Sequence, residues 1–446
     1  MSLNQASFQE FRETIRKLGE TVQPVEGLTD DERVRRAKQV FLTRVHSAMA
    51  MDLETCIHCG MCAEACHFYA QTKNAKYTPI LKVEPLRRFY RRELGPQRWL
   101  YRLVSRDIDA QMLEEWQELV YDSCTECGRC SMICPMGINV SAMINVVRQA
   151  VAEAGYMPDE LRAVEKEQKE KGTTFGVGPT QLREALEKMR QNGVDVPVDK
   201  DKAEVMVLIS GYGVNITQDA LLATVKIMNH LGVDWTIRTD AYECAHFGML
   251  SGREQTLRNS TLRVINAALS CGAKTVVTGE CGYGYTALRW EGARRYGKPL
   301  PFEVMSISEF MGQQLKAGRL KVRKLNQKKS ITLHDPCKVG RIGGVFKEPR
   351  ALLNALGVEI REMADPVQTS WCCGGGGGVF LNNRATPLRQ AAFESKRSAA
   401  VNTGAESVVV SCDSCRMTFE IGKVHAHWEM PIESLVVMVG ENLADP

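Results

Sequence analysis

Apolar positions along this chain change their spacing partway, and the change separates two kinds of structure. Phe8, Phe11, Ile15 and Leu18 fall at i, i+3, i+7 and i+10, one apolar face of a helix. That face packs on its own domain or docks on a partner subunit. Residues 1–50 as a whole read as an N-terminal helical segment. Between 156 and 200 the charged stretches EKEQKEKGTT and QLREALEKMRQNG lack β-branched runs and predict a helical linker ending near Pro197. From 201 the texture shifts. Val205–Ser210, Thr275–Thr278, Ile331–His334 and Ser407–Ser411 are short, β-rich and bounded by turn residues. Helical patterns such as Asp219–Leu231 and Pro349–Leu356 lie between them. Such alternation predicts a parallel sheet covered by helices. The longest apolar runs, such as Leu435–Gly440, are strand-sized, so no membrane span is expected.

The α/β texture occurs twice. GAKTVVTGECGYGY (272–285) echoes GAESVVVSCDSCRM (404–417), each running from a strand into a cysteine loop. A duplicated unit covering 201–330 and 331–446 is the simplest account. The length of 446 residues agrees, because one hydrophobic core stops growing near about 250–300 residues. A formal charge of +4, from 57 basic and 53 acidic residues, is too small to argue nucleic-acid binding. The first twenty residues are polar and charged, with neither an apolar core nor a small-residue cleavage site, so a soluble protein of a reducing compartment is expected. One basic, aromatic stretch, Arg87, Arg88, Phe89, Tyr90, Arg91 and Arg92, reads as a solvated helix face or as a site for anionic lipid or an acidic partner.

Sixteen cysteines, clustered in a chain without a secretory signal, point to metal and not to disulfides. Within 51–155, Cys56, Cys59, Cys62 and Cys66 form C-x2-C-x2-C-x3-C, and Cys124, Cys127, Cys130 and Cys134 repeat it. This is the bacterial ferredoxin run for a 4Fe–4S cubane, whose fourth cysteine serves the other cluster in two-cluster proteins. One cubane is therefore assigned to Cys56, Cys59, Cys62 and Cys134, the other to Cys124, Cys127, Cys130 and Cys66. Zinc is the competing metal for C-x2-C pairs, and two complete four-cysteine runs weigh against it. Pro135 follows the second run, whereas His67 follows the first. The expected fold class is α+β and multidomain, an all-α two-cluster ferredoxin module followed by the duplicated α/β unit.

The last segment carries Cys337, then Cys372–Cys373, then Cys412 and Cys415, as C-x34-C-C-x38-C-x2-C. That arrangement resembles the CCG domain of heterodisulfide reductases, and the ferredoxin runs resemble the same enzymes' small iron–sulfur subunit. Joined in one chain over roughly residues 50–446, they resemble the D-type subunit of heterodisulfide reductases and its relative, the K-type subunit of the sulfite-reductase-associated membrane complex. The resemblance implies that Cys337, Cys372, Cys373, Cys412 and Cys415 bind a noncubane 4Fe–4S cluster that reduces, or forms, a disulfide. The five glycines of 374–378 let backbone approach a bulky group, and their N–H groups can offset thiolate charge. Each ligand is expected at a strand end or helix start. His334 and Asp335 stand close enough in sequence to move protons, and Trp371 reads as wall.

The first α/β unit lacks the full set. An ungapped overlay puts Glu280 opposite Cys412, Tyr283 opposite Cys415, Glu243–Cys244 opposite Cys372–Cys373, and Gly213 near Cys337. A second noncubane cluster is not expected, and Cys244, Cys271 and Cys281 read as buried thiols or neighbours of the site. This loss brings the chain nearer the K type, whose implied substrate is a disulfide or trisulfide on a small sulfur-carrier protein. The resemblance further implies a membrane haem-b or quinone-reactive partner subunit and a peripheral place on the cytoplasmic face of the membrane. Two other readings stand beside it: the iron–sulfur subunit of a quinone-linked hydroxy-acid or glycerol-3-phosphate dehydrogenase, and a noncatalytic conduit or scaffold. No G-x-G-x-x-G fingerprint, P-loop or H-E-x-x-H motif occurs.

Overall fold

The computed structural model describes residues 5–21, 25, 27–243 and 247–444, with side chains omitted at 5–7, 18–21 and 247. Leu18 and Cys244 therefore lie outside the described side chains. Helices account for the regular structure before residue 200, and their boundaries follow local rules. Thr29 caps the Asp30–Arg44 helix by accepting from the Glu32 amide, and Asp30, Asp31 and Glu32 favour the positive end of its dipole. Asn139 caps Val140–Glu153 in the same way, accepting from the Ala142 amide. Val140, Met143, Ile144, Val147, Ala150 and Val151 form a buried stripe along that helix. The stripe packs against Asp30–Arg44 and Pro79–Phe89, where Phe41 and Phe89 meet with ring centroids 5.2 Å apart.

Both cysteine runs share one backbone device. His58 and Gly60 in the first, and Glu126 and Gly128 in the second, all adopt left-handed φ, between 53° and 82°. At His58 and Glu126 this is an unfavourable conformation for a side chain, held by the surrounding loop. The turns feed the short helices Met61–Glu64 and Arg129–Ile133, which lie against each other.

Residues 156–200 contain two separate helices, Asp159–Lys171 and Pro179–Gln191, interrupted by the left-handed Gly172. The first packs against the N-terminal helix Gln5–Thr21. Phe8, Phe11 and Ile15 are buried, and the Phe11 ring lies 5.1 Å from Phe175, 5.8 Å from Tyr212 and 6.0 Å from Phe380. The apolar face of that helix is thus covered by its own chain.

Two four-stranded, all-parallel sheets follow. β1 (Val205–Leu208), β2 (Trp235–Thr236), β3 (Thr275–Thr278) and β4 (Glu303–Ser306) are ordered β2-β1-β3-β4. β5 (Ser330–His334), β6 (Glu359–Ile360), β7 (Ser407–Val410) and β8 (Ile432–Ser434) are ordered β6-β5-β7-β8. Identical order in consecutive units is the structural form of the sequence echo. β1, β5 and β7 are buried along their whole length, as expected of strands covered on both faces. Register refines one expectation. Val205 pairs with Thr275 and Ile331 with Ser407, so the units superpose with Gly211, and not Gly213, opposite Cys337. A second difference lies at the C-terminus. Leu435–Glu441 is a helix, capped by Ser434, that packs on Gln218–His230 of the first unit. Ser434 and the contact with a neighbouring unit override the strand-like composition of the run. Among the described residues, no helix is long and apolar enough to cross a membrane.

Candidate metal centres

The two ferredoxin-type loops face each other, and each lends its last cysteine to the other. Cys56, Cys59 and Cys62 line one cavity together with Cys134. Cys124, Cys127 and Cys130 line a second together with Cys66. Burial, with the thiols of Cys56, Cys59 and Cys134 beside it, pushes the Cys62 thiol up to about 11. Burial likewise raises Cys130, beside Cys127, Cys124 and Cys66. Four thiols gathered around one cavity suit a cationic centre that would bind them as thiolates. These donor sets fit iron–sulfur clusters.

Basic residues around these cavities point inward. Arg87, in the stretch read as a solvated helix face or a docking site, is buried. Its guanidinium reaches the Cys56 Sγ at 3.9 Å, the His58 Nδ1 at 3.3 Å and Glu84 at 3.3 Å. Arg92 donates to the Ser105 carbonyl at 2.6 Å, which leaves Arg91 as the exposed cation of the run. Lys82 is also buried, donating to the Ser123 carbonyl and to the Cys66 Sγ at 3.5 Å. The sequence pattern missed both roles, because helical spacing alone does not say which cation turns toward a thiol.

The third group of cysteines gathers at the C-terminal ends of β5 and β7. Cys337 follows β5 and opens the turn Lys338–Ile342. Cys412 caps the Asp413–Ala426 helix, and Cys415 stands in its first turn. Cys372–Cys373 departs from the expected placement, since it sits in the loop between Val367–Thr369 and Thr386–Val401. All five are buried. Cys373 and Cys415 approach to 3.4 Å between sulfurs, the Cys372 Sγ accepts from the Gly374 amide at 3.5 Å, and all five cysteines pack in one buried cluster. A His334 ring nitrogen lies within 4.8 Å of the Cys373 and Cys415 sulfurs. Asp335 does not stand free to move protons, because Arg350 grips both its oxygens at 2.9 Å. Five convergent buried thiols suit a cluster that draws on more than four cysteines.

Cys127, a member of the second ferredoxin-type cavity, packs against the buried cluster that holds the five CCG cysteines. A cysteine of the helical module is therefore packed beside those of the α/β unit. His67, buried against Phe68 with centroids 4.5 Å apart, lies in the same region, and burial lowers it to about 4, so its ring is neutral. Several contacts hold the two parts together. Arg341 donates to the Cys127 carbonyl at 2.8 Å, and the fully buried Arg148 to those of Cys124 at 2.8 Å and Gly377 at 2.6 Å. Arg129 lies 3.6 Å over the Trp371 ring while donating to the Ala65 carbonyl, so Trp371 is a clamp as well as a wall.

The glycine run serves this same junction. A Cβ on Gly377, whose φ is +62°, would stand 2.6 Å from the Cys124 carbonyl, and one on Gly376 2.7 Å from that of Thr125. Only bare backbone lets the loop lie this close to the ferredoxin-type loop. In the first α/β unit the matching positions hold other contacts. The Tyr283 hydroxyl donates to the Thr125 carbonyl at 3.0 Å, and Glu280 accepts from Ser434 at 2.8 Å. Cys281 caps a helix by accepting from the Gly284 amide, and Cys271 is buried with its thiol on the Ala268 carbonyl.

Comparison with known proteins gives the same division. Residues 55–139 match the 4Fe-4S dicluster domain family, and 331–420 match the cysteine-rich (CCG) domain family. The D-type subunit of the dihydromethanophenazine:CoB--CoM heterodisulfide reductase of Methanosarcina barkeri is 27% identical over 92% of this chain and 98% of its own. Hdr-like menaquinol oxidoreductase iron-sulfur subunit 2 of Archaeoglobus fulgidus is 24% identical, covering 89% of this chain and 81% of its own. EtfAB:quinone oxidoreductase of Syntrophomonas wolfei is 27% identical over 82% of this chain and 54% of its own.

Proposed function

We propose a specific task for this Hdr-like iron–sulfur oxidoreductase subunit: it moves single electrons between a partner at its surface and a CCG site that reduces or forms a disulfide or trisulfide. Cys56, Cys59, Cys62 and Cys134 would hold an outer cubane, and Cys66, Cys124, Cys127 and Cys130 an inner one. Cys337, Cys372, Cys373, Cys412 and Cys415 would hold a noncubane 4Fe–4S cluster. When bound, these groups supply one-electron transfer and, at the CCG site, an iron able to hold a substrate sulfur. The observation that carries the reading is the packing of Cys127, a member of the inner ferredoxin-type set, against the buried cluster that holds all five CCG cysteines.

The chain's own residues arrange the rest. Arg148 and Arg341 fix the spacing between the inner loop and the glycine loop, and the apolar walls around the five CCG cysteines exclude water. In the reductive direction a disulfide takes two electrons and two protons and leaves as two thiols. With one complete CCG set, the five cysteines would hold a single cluster able to take one substrate sulfur, so the other would stay on its carrier, which favours a small sulfur-carrier protein as substrate. At the opposite end Cys59 is exposed, as are Ile57 and Met61. Nearby, Arg98–Val104 presents Trp99 at 67% and Leu103 at 78% exposure beside the exposed Arg98 and Arg102. Such a surface suits a haem-b or quinone-reactive membrane subunit, with the protein peripheral on the cytoplasmic face.

The relative named EtfAB:quinone oxidoreductase supports a second reading, in which a flavoprotein exchanges the electrons and no disulfide is involved. Electron paramagnetic resonance of the oxidised protein, with and without added thiol, separates the two. A signal that changes on thiol binding and disappears in Cys373→Ser supports disulfide chemistry. A thiol-insensitive protein that exchanges electrons with a flavoprotein overturns it.

A further inference from the structure

Two lysines of this chain are buried without a carboxylate in ion-pair contact. Lys82 is 1% exposed and Lys396 0%. Among the described residues no carboxylate oxygen lies within 4.0 Å of either ammonium. The Lys396 Nζ has the Met363 Sδ at 2.9 Å as its hydrogen-bond partner, a weak acceptor. The nearest acids are already taken, Asp335 by Arg350 at 2.9 Å and Asp365 by Arg129 at 3.6 Å. Lys82 has the Ser123 carbonyl, the Phe68 ring at 5.2 Å and the Cys66 Sγ at 3.5 Å. Burial disfavours an uncompensated ammonium, and an anion beside it favours the charged form.

The anions within reach are thiolates. Cys66 belongs to the inner ferredoxin-type set, and Met363, the partner of the Lys396 ammonium, packs in one buried cluster with the five CCG cysteines. Clusters ligated by four or more thiolates carry net negative charge, which grows by one on reduction. A fixed cation beside such a cluster favours the reduced form and raises its potential. Arg87 at the outer site differs, because Glu84 at 3.3 Å already offsets its charge.

We infer that Lys82 and Lys396 are the built-in counter-cations of the inner cubane and of the CCG cluster, each setting the potential of its own cluster. The Lys396 half rests on the proposed CCG cluster, whereas the Lys82 half needs the dicluster module alone. Both are positioning residues, acting on the reaction through the charge they hold beside the sulfur ligands.

Redox titration of the anaerobically purified protein, followed by electron paramagnetic resonance, tests this. Lys396→Met should lower the midpoint of the CCG signal and leave the cubanes unmoved. Lys82→Met should lower one cubane and leave the CCG signal unmoved. A tenfold weakening of one-electron reduction reads as a shift of about 59 mV. Lys396→Arg and Lys82→Arg, which keep the charge, should restore most of the shift. Midpoints unchanged in both methionine variants, at full iron content, would overturn the inference. So would equal shifts at every cluster. Should a methionine variant fail to load iron, loading restored by arginine supports the counter-cation role, and loading restored by the neutral Lys→Gln refutes it. If wild-type protein shows no CCG signal, the proposed function fails, and the Lys82 arm decides the inference by itself.

Discussion

The two α/β units share strand order, parallel pairing and register, yet one gathers five cysteines and the other places Gly211, Glu280 and Tyr283 at three of the corresponding positions. The first unit has become a brace. Tyr283, opposite Cys415, spends its hydroxyl on the Thr125 carbonyl and on the Gly377 amide, both at the junction with the helical module. Glu280, opposite Cys412, is tied to Ser434 of the second unit, and Asp413 donates its amide to the Glu280 carbonyl. A loop at the end of a parallel strand can thus carry either ligands or struts on one scaffold, because the sheet positions it before its side chains are chosen.

The most severe test of this contrast is Cys373→Ser against Cys281→Ser. The first should abolish disulfide chemistry and lower iron from about twelve to about eight per chain, with dithionite still reducing the cubanes. The second should leave iron and activity near the wild-type values. Equal losses in iron and sulfide assays would place a working site in the first unit.

Next in size is Arg148→Met. It strips a fully buried guanidinium that serves the carbonyls of Val120, Cys124, Leu250 and Gly377. Leaving such groups unpaired should cost about 3–5 kcal/mol, read as a lower denaturant midpoint. Electron transfer from the cubanes to the CCG site should slow in the protein that does fold. Gly377→Ala comes third. A side chain at φ +62°, 2.6 Å from the Cys124 carbonyl, should cost about 1–3 kcal/mol and loosen the junction. Thermal unfolding checks it, and an unchanged melting point would mean the glycine run serves substrate access instead. Smallest is Tyr283→Phe, which deletes one hydroxyl from the brace and should cost about 1 kcal/mol with iron content unchanged. Loss of iron in that variant would give the first unit a direct part in cluster binding.

Much of this was legible in residue spacing. The strand positions at 205, 275, 331 and 407 and the duplication were readable, because strand ends and turn residues are local signals. Other features gave no such signal. Arg87 stands in a basic run that looks solvated, and only the fold turns it onto Cys56. Gly213 is a natural match for Cys337 by eye, and the pairing of β1 with β3 moves the match to Gly211. Asp335 precedes Cys337 like a proton carrier until Arg350, fifteen residues on, closes around it.

What the sequence by itself determined is the ligand inventory. Thiolates that wrap one cluster from a tight loop must be two or three residues apart, so C-x2-C-x2-C and C-x2-C are written directly in the chain. What only the tertiary structure decided is which set stands next to which. Cys127 and Cys372 are separated by 244 intervening residues, and Lys396 comes to Met363, beside the CCG cysteines, from a helix that contains no cysteine. Contacts of that kind arise when independently folded loops are brought together by packing, and no local pattern is required for them. Any electron path through the proposed sites would therefore be a property of the fold, built on cysteines whose spacing is local to the sequence.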